Sequence, residues 1–315
     1  MPCDEPLSGE EPTALERRTG AAAPGPRAGR PGSRRAGGGA VGAVGGGESF
    51  VELGGRRFAY LDFGGDGPPV LALHGHFGRG RIFAPLAAAL AGRYRVVALD
   101  QRGHGLSDNG GEFTLPHYAD DAAAFLDTLG LAPAALLGHS MGGAVAFHLA
   151  HRRPDLVPAL VVADTTTLNH EPETRPVLDV TGWPRRTRTR RALEEALAEH
   201  GVPTGYFMDS AAEFDDGWGF LFDTADMTAS QEHLTGDLSA VWNATRQPAL
   251  LLRAGDSFLL TPATARRMAT ERPNTRLVEI PDSGHWLYAD APQAFAHHVR
   301  AFLDHLPRTR PTPAP

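Results

Sequence analysis

Two hydrophobic patterns alternate along most of this chain. Short continuous apolar runs read as strands buried on both faces. They are Pro69-Val-Leu-Ala-Leu-His74, Tyr94-Arg-Val-Val-Ala-Leu99, Ala134-Ala-Leu-Leu137, Pro158-Ala-Leu-Val-Val-Ala163, Pro248-Ala-Leu-Leu-Leu-Arg-Ala254 and Thr275-Arg-Leu-Val-Glu-Ile280. Between them lie stretches with helical spacing: Ile82 to Ala91, Pro116 to Leu129, Ala144 to His151, Pro262 to Thr270 and Pro292 to Leu306. In the second of these, Tyr118, Ala122, Phe125, Leu126 and Leu129 share one face. Thr261-Pro262 supplies an N-cap and a first helical proline. Ahead of the series, Phe50-Val-Glu-Leu and Arg57-Phe-Ala-Tyr-Leu-Asp-Phe flank Gly54-Gly55 and predict a hairpin. Strand and helix in repeated alternation predict the α/β class, a mostly parallel sheet with helices on both faces.

The alternation stops between Thr165 and about Trp242. Here Arg190 to His200 and Ala229 to Val241 read as helices, and no strand is evident. The stretch is expected to be a cap inserted between strands, covering about residues 165–242 of a domain spanning 48–306. Its middle is aromatic, with Tyr206, Phe207, Phe214, Trp218, Phe220 and Phe222 close together. Some of these rings must form the cap's own core; others can wall a pocket. The ends differ in character. Residues 1–47, rich in Gly, Ala, Pro and Arg, and the Pro/Thr-rich residues 307–315 are predicted to be disordered tails.

Composition narrows the function classes. An apolar share of 42% and a charged share of 21% fit a globular protein. A net charge of -7 gives no basic field for nucleic acid or an anionic membrane. No apolar run is long enough for a membrane span, and the start lacks the pattern of a signal peptide. Cys3 is the only cysteine, so no internal disulfide forms. A cytoplasmic location is expected, with no membrane insertion and no nucleic-acid partner.

The chemistry centres on Gly138-His139-Ser140-Met141-Gly142, which follows a strand and opens a helix. In that setting the serine sits on a strained corner with its hydroxyl above the sheet edge. A serine hydroxyl needs a base beside it, and the base needs an orienting acid. His285, in Ser283-Gly284-His285-Trp286 after the last strand, is the candidate base. Asp256, after the penultimate strand, is the first candidate for the acid, and Asp164, at the end of the strand after the serine helix, is the alternative. Asp282 reads as a turn residue. The oxyanion of acyl transfer needs two fixed N–H donors. Met141 is one candidate; His76, in His74-Gly75-His76-Phe77-Gly78, is the other, with Phe77 as its alternative. Phe77, Phe207, Trp218 and Trp286 are candidate pocket walls. The arginine run Arg185, Arg186, Arg188, Arg190 and Arg191 reads as the solvated start of a helix rather than a phosphate site. No phosphate loop, dinucleotide fingerprint or metal-ligand spacing is present, so neither cofactor nor metal is expected.

These pieces together resemble the α/β-hydrolase superfamily, in its lid-containing, serine-nucleophile, esterase or C–C hydrolase-like branch. The resemblance rests on His74-Gly75, Asp100-Gln-Arg-Gly-His-Gly-Leu-Ser-Asp108, Gly138-His-Ser-Met-Gly-Gly143 and Gly284-His285-Trp286. It implies an eight-stranded, mostly parallel sheet with a lid after the sixth strand. It implies action on esters, lactones, thioesters, amides or C–C bonds of β-diketones. Dehalogenase and epoxide-hydrolase relatives carry Asp where this chain has Ser140, which argues against both. In many relatives the acid stands four residues before the proline of the next helix. Here that position is Phe258, and Asp256 stands six before Pro262. The expected function is a cofactor-independent serine hydrolase acting on a hydrophobic small molecule. The alternative is a non-hydrolytic member using the same residues: a cofactor-free oxygenase, a lyase, a haloperoxidase-like protein or a biosynthetic cyclase.

Overall fold

The computed structural model describes residues 47–175 and 177–306. The predicted tails lie outside the described residues, save Gly47. β1 (Glu48–Leu53) and β2 (Arg56–Asp62) form the expected hairpin. β3 (Pro69–Leu73), β4 (Arg95–Leu99), β5 (Ala135–His139), β6 (Leu160–Ala163), β7 (Ala249–Ala254) and β8 (Thr275–Ile280) complete one eight-stranded sheet. Its order is β1-β2-β4-β3-β5-β6-β7-β8, parallel from β4 onward.

The continuous apolar runs are explained by helices on both faces. The strand period of two sends Leu71 and Leu73 of β3 to one side and Val70 and Ala72 to the other. On the first side lie α2 (Leu115–Thr128) and α3 (Met141–Arg152), through Phe125, Leu126, Val145 and Phe147. On the second lie α1 (Ala84–Leu90), which follows a 3-10 turn at Gly80–Phe83, and the closing helix Pro292–Asp304. A fully buried leucine such as Leu71 stabilises the fold by about 1.5–3 kcal/mol.

Strand order places the site. From β3 the chain moves outward to β4, then returns to the other side of β3 as β5. Loops leaving β3 and β5 therefore diverge around a crevice at the carboxyl edge, the position where open α/β sheets bind ligands.

Between β6 and β7 the chain leaves the sheet. This region holds α4 (Arg190–Ala198), α5 (Thr204–Met208), α6 (Thr224–His233) and α7 (Ser239–Ala244). The expected helix over Ala229 to Val241 is instead two helices, because Gly236 adopts φ +120 and interrupts the run. Strands are also present here, against expectation. Ala211–Phe214 pairs with Gly217–Phe220, and Leu168–Asn169 pairs with Gly236–Asp237. Both pairings, a hairpin and a long-range pair, are too short to show a period in the sequence. A second apolar cluster joins Val180, Trp183, Leu193, Leu197, Phe207 and Phe220 to Phe77 of the loop after β3. The region thus packs directly over the carboxyl edge. After β7 come α8 (Pro262–Glu271), then β8, α9 (Leu287–Asp290) and α10 (Pro292–Asp304). Among the described residues no helix is long and apolar enough to cross a membrane.

Candidate active site

Ser140 sits at φ 53 and ψ -122, between β5 and α3. A non-glycine residue held at positive φ there costs on the order of 1–3 kcal/mol. Close backbone packing maintains it. A Cβ on Gly142 would stand 2.1 Å from the Leu73 carbonyl oxygen, and one on Gly138 would stand 2.1 Å from that of Gly142. Only glycine allows this strand, corner and helix to meet. Thr165 Oγ1 donates to the Ser140 carbonyl at 2.9 Å and fixes the corner from the β6 side.

His285 lies in the loop after β8 and is mostly buried. Its Nδ1 stands 2.7 Å from Asp164 Oδ2. Asp164, itself fully buried and at φ 44, directly follows β6. Two further donors reach its carboxylate: the Ala254 N–H to Oδ1 at 2.9 Å and the Ser257 hydroxyl to Oδ2 at 2.6 Å. Because Asp164 accepts from Nδ1, the imidazole carries its proton there and keeps Nε2 as the base. Asp256, the first candidate for the acid, is not at the site. It is exposed, and its backbone N–H donates to the Ser283 carbonyl at 2.8 Å. The structure gives the place beside His285 to the alternative, Asp164.

The loop after β3 runs against the serine. A Cβ on Gly75 would lie 3.0 Å from Ser140 Cβ. The Gly75 carbonyl accepts from Gly78 N–H at 3.2 Å and from His74 Nδ1 at 2.7 Å. His74 Nε2 in turn accepts the Gln101 N–H at 3.0 Å, and Gln101 Nε2 donates to the His74 carbonyl at 2.7 Å. Burial pulls His74 down to a pKa of about 3, so this brace is neutral at ordinary pH. Asp100 completes it by accepting from the N–H groups of Gly80 (2.7 Å) and Leu106 (3.0 Å) and from Arg79. The conspicuous Asp100–Asp108 stretch is thus scaffolding for the loop beside Ser140.

His76 and Phe77 follow in that loop, Phe77 at φ 67. Their carbonyls are held from above: His76 by the Tyr206 hydroxyl (2.8 Å) and Phe77 by the Ser210 hydroxyl (2.6 Å). Among the described residues the His76 N–H has no acceptor. The Met141 N–H, at the first position of α3, has no intrahelical one. The His76 ring touches Ser230 Oγ through Nε2 at 3.0 Å, and Ser230 Oγ meets the Tyr118 hydroxyl at 2.8 Å. Burial lowers the pKa of His76 to about 3, keeping it neutral.

Ser140, Met141, His76, Phe77, Phe207, Trp286 and His285 line one cavity of about 490 Å³. Trp218 does not line it. It lies on the Ala211–Phe214/Gly217–Phe220 hairpin, where its N–H and carbonyl pair with Thr187 and its side chain packs against the upper apolar cluster. Three arginines of the run there are ion-paired: Arg186 meets Asp216 at 2.8 Å and stacks on Phe214, Arg190 meets Glu194 at 3.7 Å, and Arg191 meets Glu195 at 2.7 Å. Several site residues were not singled out from sequence. Phe258 is 65% exposed, yet its ring centre lies 4.6 Å from that of His285, at the cavity wall. Ser257, Ser210 and Ser230 make the bonds described above; their one sequence signal is position, after β7 or in the region between β6 and β7.

Comparison with known proteins agrees with this architecture. The chain matches the alpha/beta hydrolase family over residues 70–298. It is 30% identical, over 76% of its length and 89% of the relative's, to the 2-(acetamidomethylene)succinate hydrolase of Mesorhizobium japonicum. It is 28% identical to the sn-1-specific diacylglycerol lipase ABHD11 of Mus musculus, over 75% of this chain and 81% of that one. The crystal structure of E-2-(acetamidomethylene)succinate hydrolase superposes with a TM-score of 0.76 at 27% identity, covering 82% of this chain and all of that one. The chain belongs to the alpha/beta hydrolase family, as an enzyme of the hydrolase class.

Proposed function

We propose that the chain is a cofactor-independent serine hydrolase that cleaves an ester, thioester, lactone or related acyl bond of a hydrophobic small molecule through an acyl-enzyme. The observation that carries this reading is the 2.7 Å contact of His285 Nδ1 with buried Asp164, beside a strained Ser140 on the same cavity. Ser140 Oγ attacks the substrate carbonyl carbon while His285 Nε2 takes its proton. Asp164 holds the imidazole in register and stabilises the imidazolium. The tetrahedral oxyanion sits between the N–H groups of Met141 and His76, with Phe77 N–H as the alternative second donor. One such donor is worth about 3 kcal/mol in the transition state. His285 then gives its proton to the leaving group, and the carbonyl re-forms on Ser140. A water, deprotonated by the same nitrogen, attacks the acyl-enzyme and releases the acid with Ser140 restored.

The substrate class follows from the walls. Phe77, Leu178, Phe207, Phe258 and Trp286 make the cavity largely apolar. The hydrolase and lipase among the relatives support hydrolysis. The test is labelling with a fluorophosphonate, together with turnover of a panel of p-nitrophenyl esters, lactones and thioesters. Ser140 is expected to take the label, and Ser140→Ala to lose about 10⁴-fold or more in kcat. Full turnover by Ser140→Ala would sink the acyl-enzyme. An unlabelled serine with His285 still essential would point to the non-hydrolytic alternative.

A further inference from the structure

The polar side chains on the cavity wall are nearly all occupied by the protein itself. Thr165 Oγ1 is taken by the Ser140 carbonyl and Thr166 Oγ1 by that of Leu168 (3.3 Å). Asn169 donates to the Leu234 carbonyl at 2.8 Å and accepts from Thr174 at 3.3 Å. Gln231 is held at both ends by the backbone of Leu178 (2.8 and 3.2 Å). Tyr206 is held by the His76 carbonyl, and Asp179 accepts the Thr181 N–H at 2.8 Å. Arg175 differs. It lines the same cavity, and among the described residues it has neither a hydrogen bond nor an acidic partner.

The backbone just before it is held in place. The preceding Thr174 is buried, with its N–H on the His170 carbonyl at 3.1 Å and its hydroxyl on Asn169. Arg175 is itself exposed and brings a guanidinium, with five donors in a planar fork, to the rim of a largely apolar cavity. Beside apolar walls a charge-assisted pair is stronger than in open water. Asp179 on the same wall limits the local positive charge, which suits a singly charged carboxylate better than a doubly charged phosphate.

We propose that Arg175 is a carboxylate-binding residue of this site, and that the preferred substrate is an acyl compound with a free carboxylate remote from the bond that is cut. This rests on the serine-hydrolase reading for the bond cleaved, and it names the substrate class. Arg175 acts on binding and stands apart from the chemical step.

The experiment compares mono-p-nitrophenyl glutarate with p-nitrophenyl pentanoate, a neutral ester of the same chain length. Wild-type protein, Arg175→Gln and Arg175→Lys are assayed at low and high salt. The wild type is expected to prefer the glutarate ester through KM, and added salt to reduce that preference. The preference is expected to fall about tenfold or more in Arg175→Gln, with partial recovery in Arg175→Lys. Equal preference in wild type and Arg175→Gln, with both esters still cleaved through Ser140, overturns the role of Arg175 and leaves the hydrolase reading standing. If the wild type cleaves neither ester, calorimetry with glutarate itself decides. Binding weakened in Arg175→Gln keeps the carboxylate site while the hydrolase reading fails. Absent or unchanged binding overturns the site as well.

Discussion

The ends of β6 and β7 form a natural experiment. They are adjacent parallel strands, both buried, and each runs into an aspartate on the same sheet edge. Asp164 follows β6 directly and is fully buried, with His285, Ser257 and the Ala254 N–H on its carboxylate. Asp256 comes two residues after β7 and is exposed. Its loop has already turned toward β8, with Gly255 N–H on the Ile280 carbonyl (2.8 Å) and Asp256 N–H on that of Ser283. A place after a strand names an edge of the sheet. The backbone bonds of the next two residues decide whether the side chain points to the crevice or to water.

The contrast can be broken by mutation. Asp164→Asn is expected to lower kcat about 10⁴-fold, with the circular dichroism spectrum kept, since the amide stabilises the wrong imidazole tautomer. A near-wild-type ester assay would remove Asp164 from the mechanism. The double variant Asp164→Asn/Ser257→Asp places a carboxylate on the neighbouring strand end. It is expected to recover about tenfold over Asp164→Asn, because Ser257 Oγ already lies 2.6 Å from Asp164 Oδ2. No recovery in the pH-rate profile would show that the two strand ends are not interchangeable.

A milder change sharpens the same point. Ser257→Ala removes one donor from the Asp164 carboxylate, leaving more of its charge to the imidazolium of His285. With that orienting bond gone, kcat in the ester assay is expected to fall about three- to tenfold. An unchanged kcat would show that the Ser257 bond does not support Asp164. Smallest of all, Asp256→Asn is expected to stay within about twofold of wild type in kcat and in stability to urea.

Most of the sheet was legible because strands buried on both faces leave unbroken apolar runs and glycines mark the corner at Ser140. The serine and the histidine were legible for the same reason: each follows a strand on the crevice edge. Asp164 was weighed as the alternative to Asp256, and nothing local separates two aspartates at two strand ends. The distance of Asp256 from Pro262 was the one warning. Phe258 and Ser257 were opaque because their roles come from neighbours over 90 residues earlier or nearly 30 later. In the region between β6 and β7, aromatic residues marked a core, but which rings face the cavity depends on two short strand pairings. Trp218 shows the cost: it packs into the upper apolar cluster off the cavity, while Phe207 on α5 reaches the cavity.

The bonds that reach down onto His76 and Phe77 have a kinetic meaning. Tyr206, Ser210 and Ser230 all belong to the region over the sheet, and each holds the loop beside Ser140. A lid that swung aside to admit a ligand would release all three grips together and let that loop relax. The loop beside Ser140 and the region above it are therefore one mechanical unit, and damage to the upper part is felt at the serine.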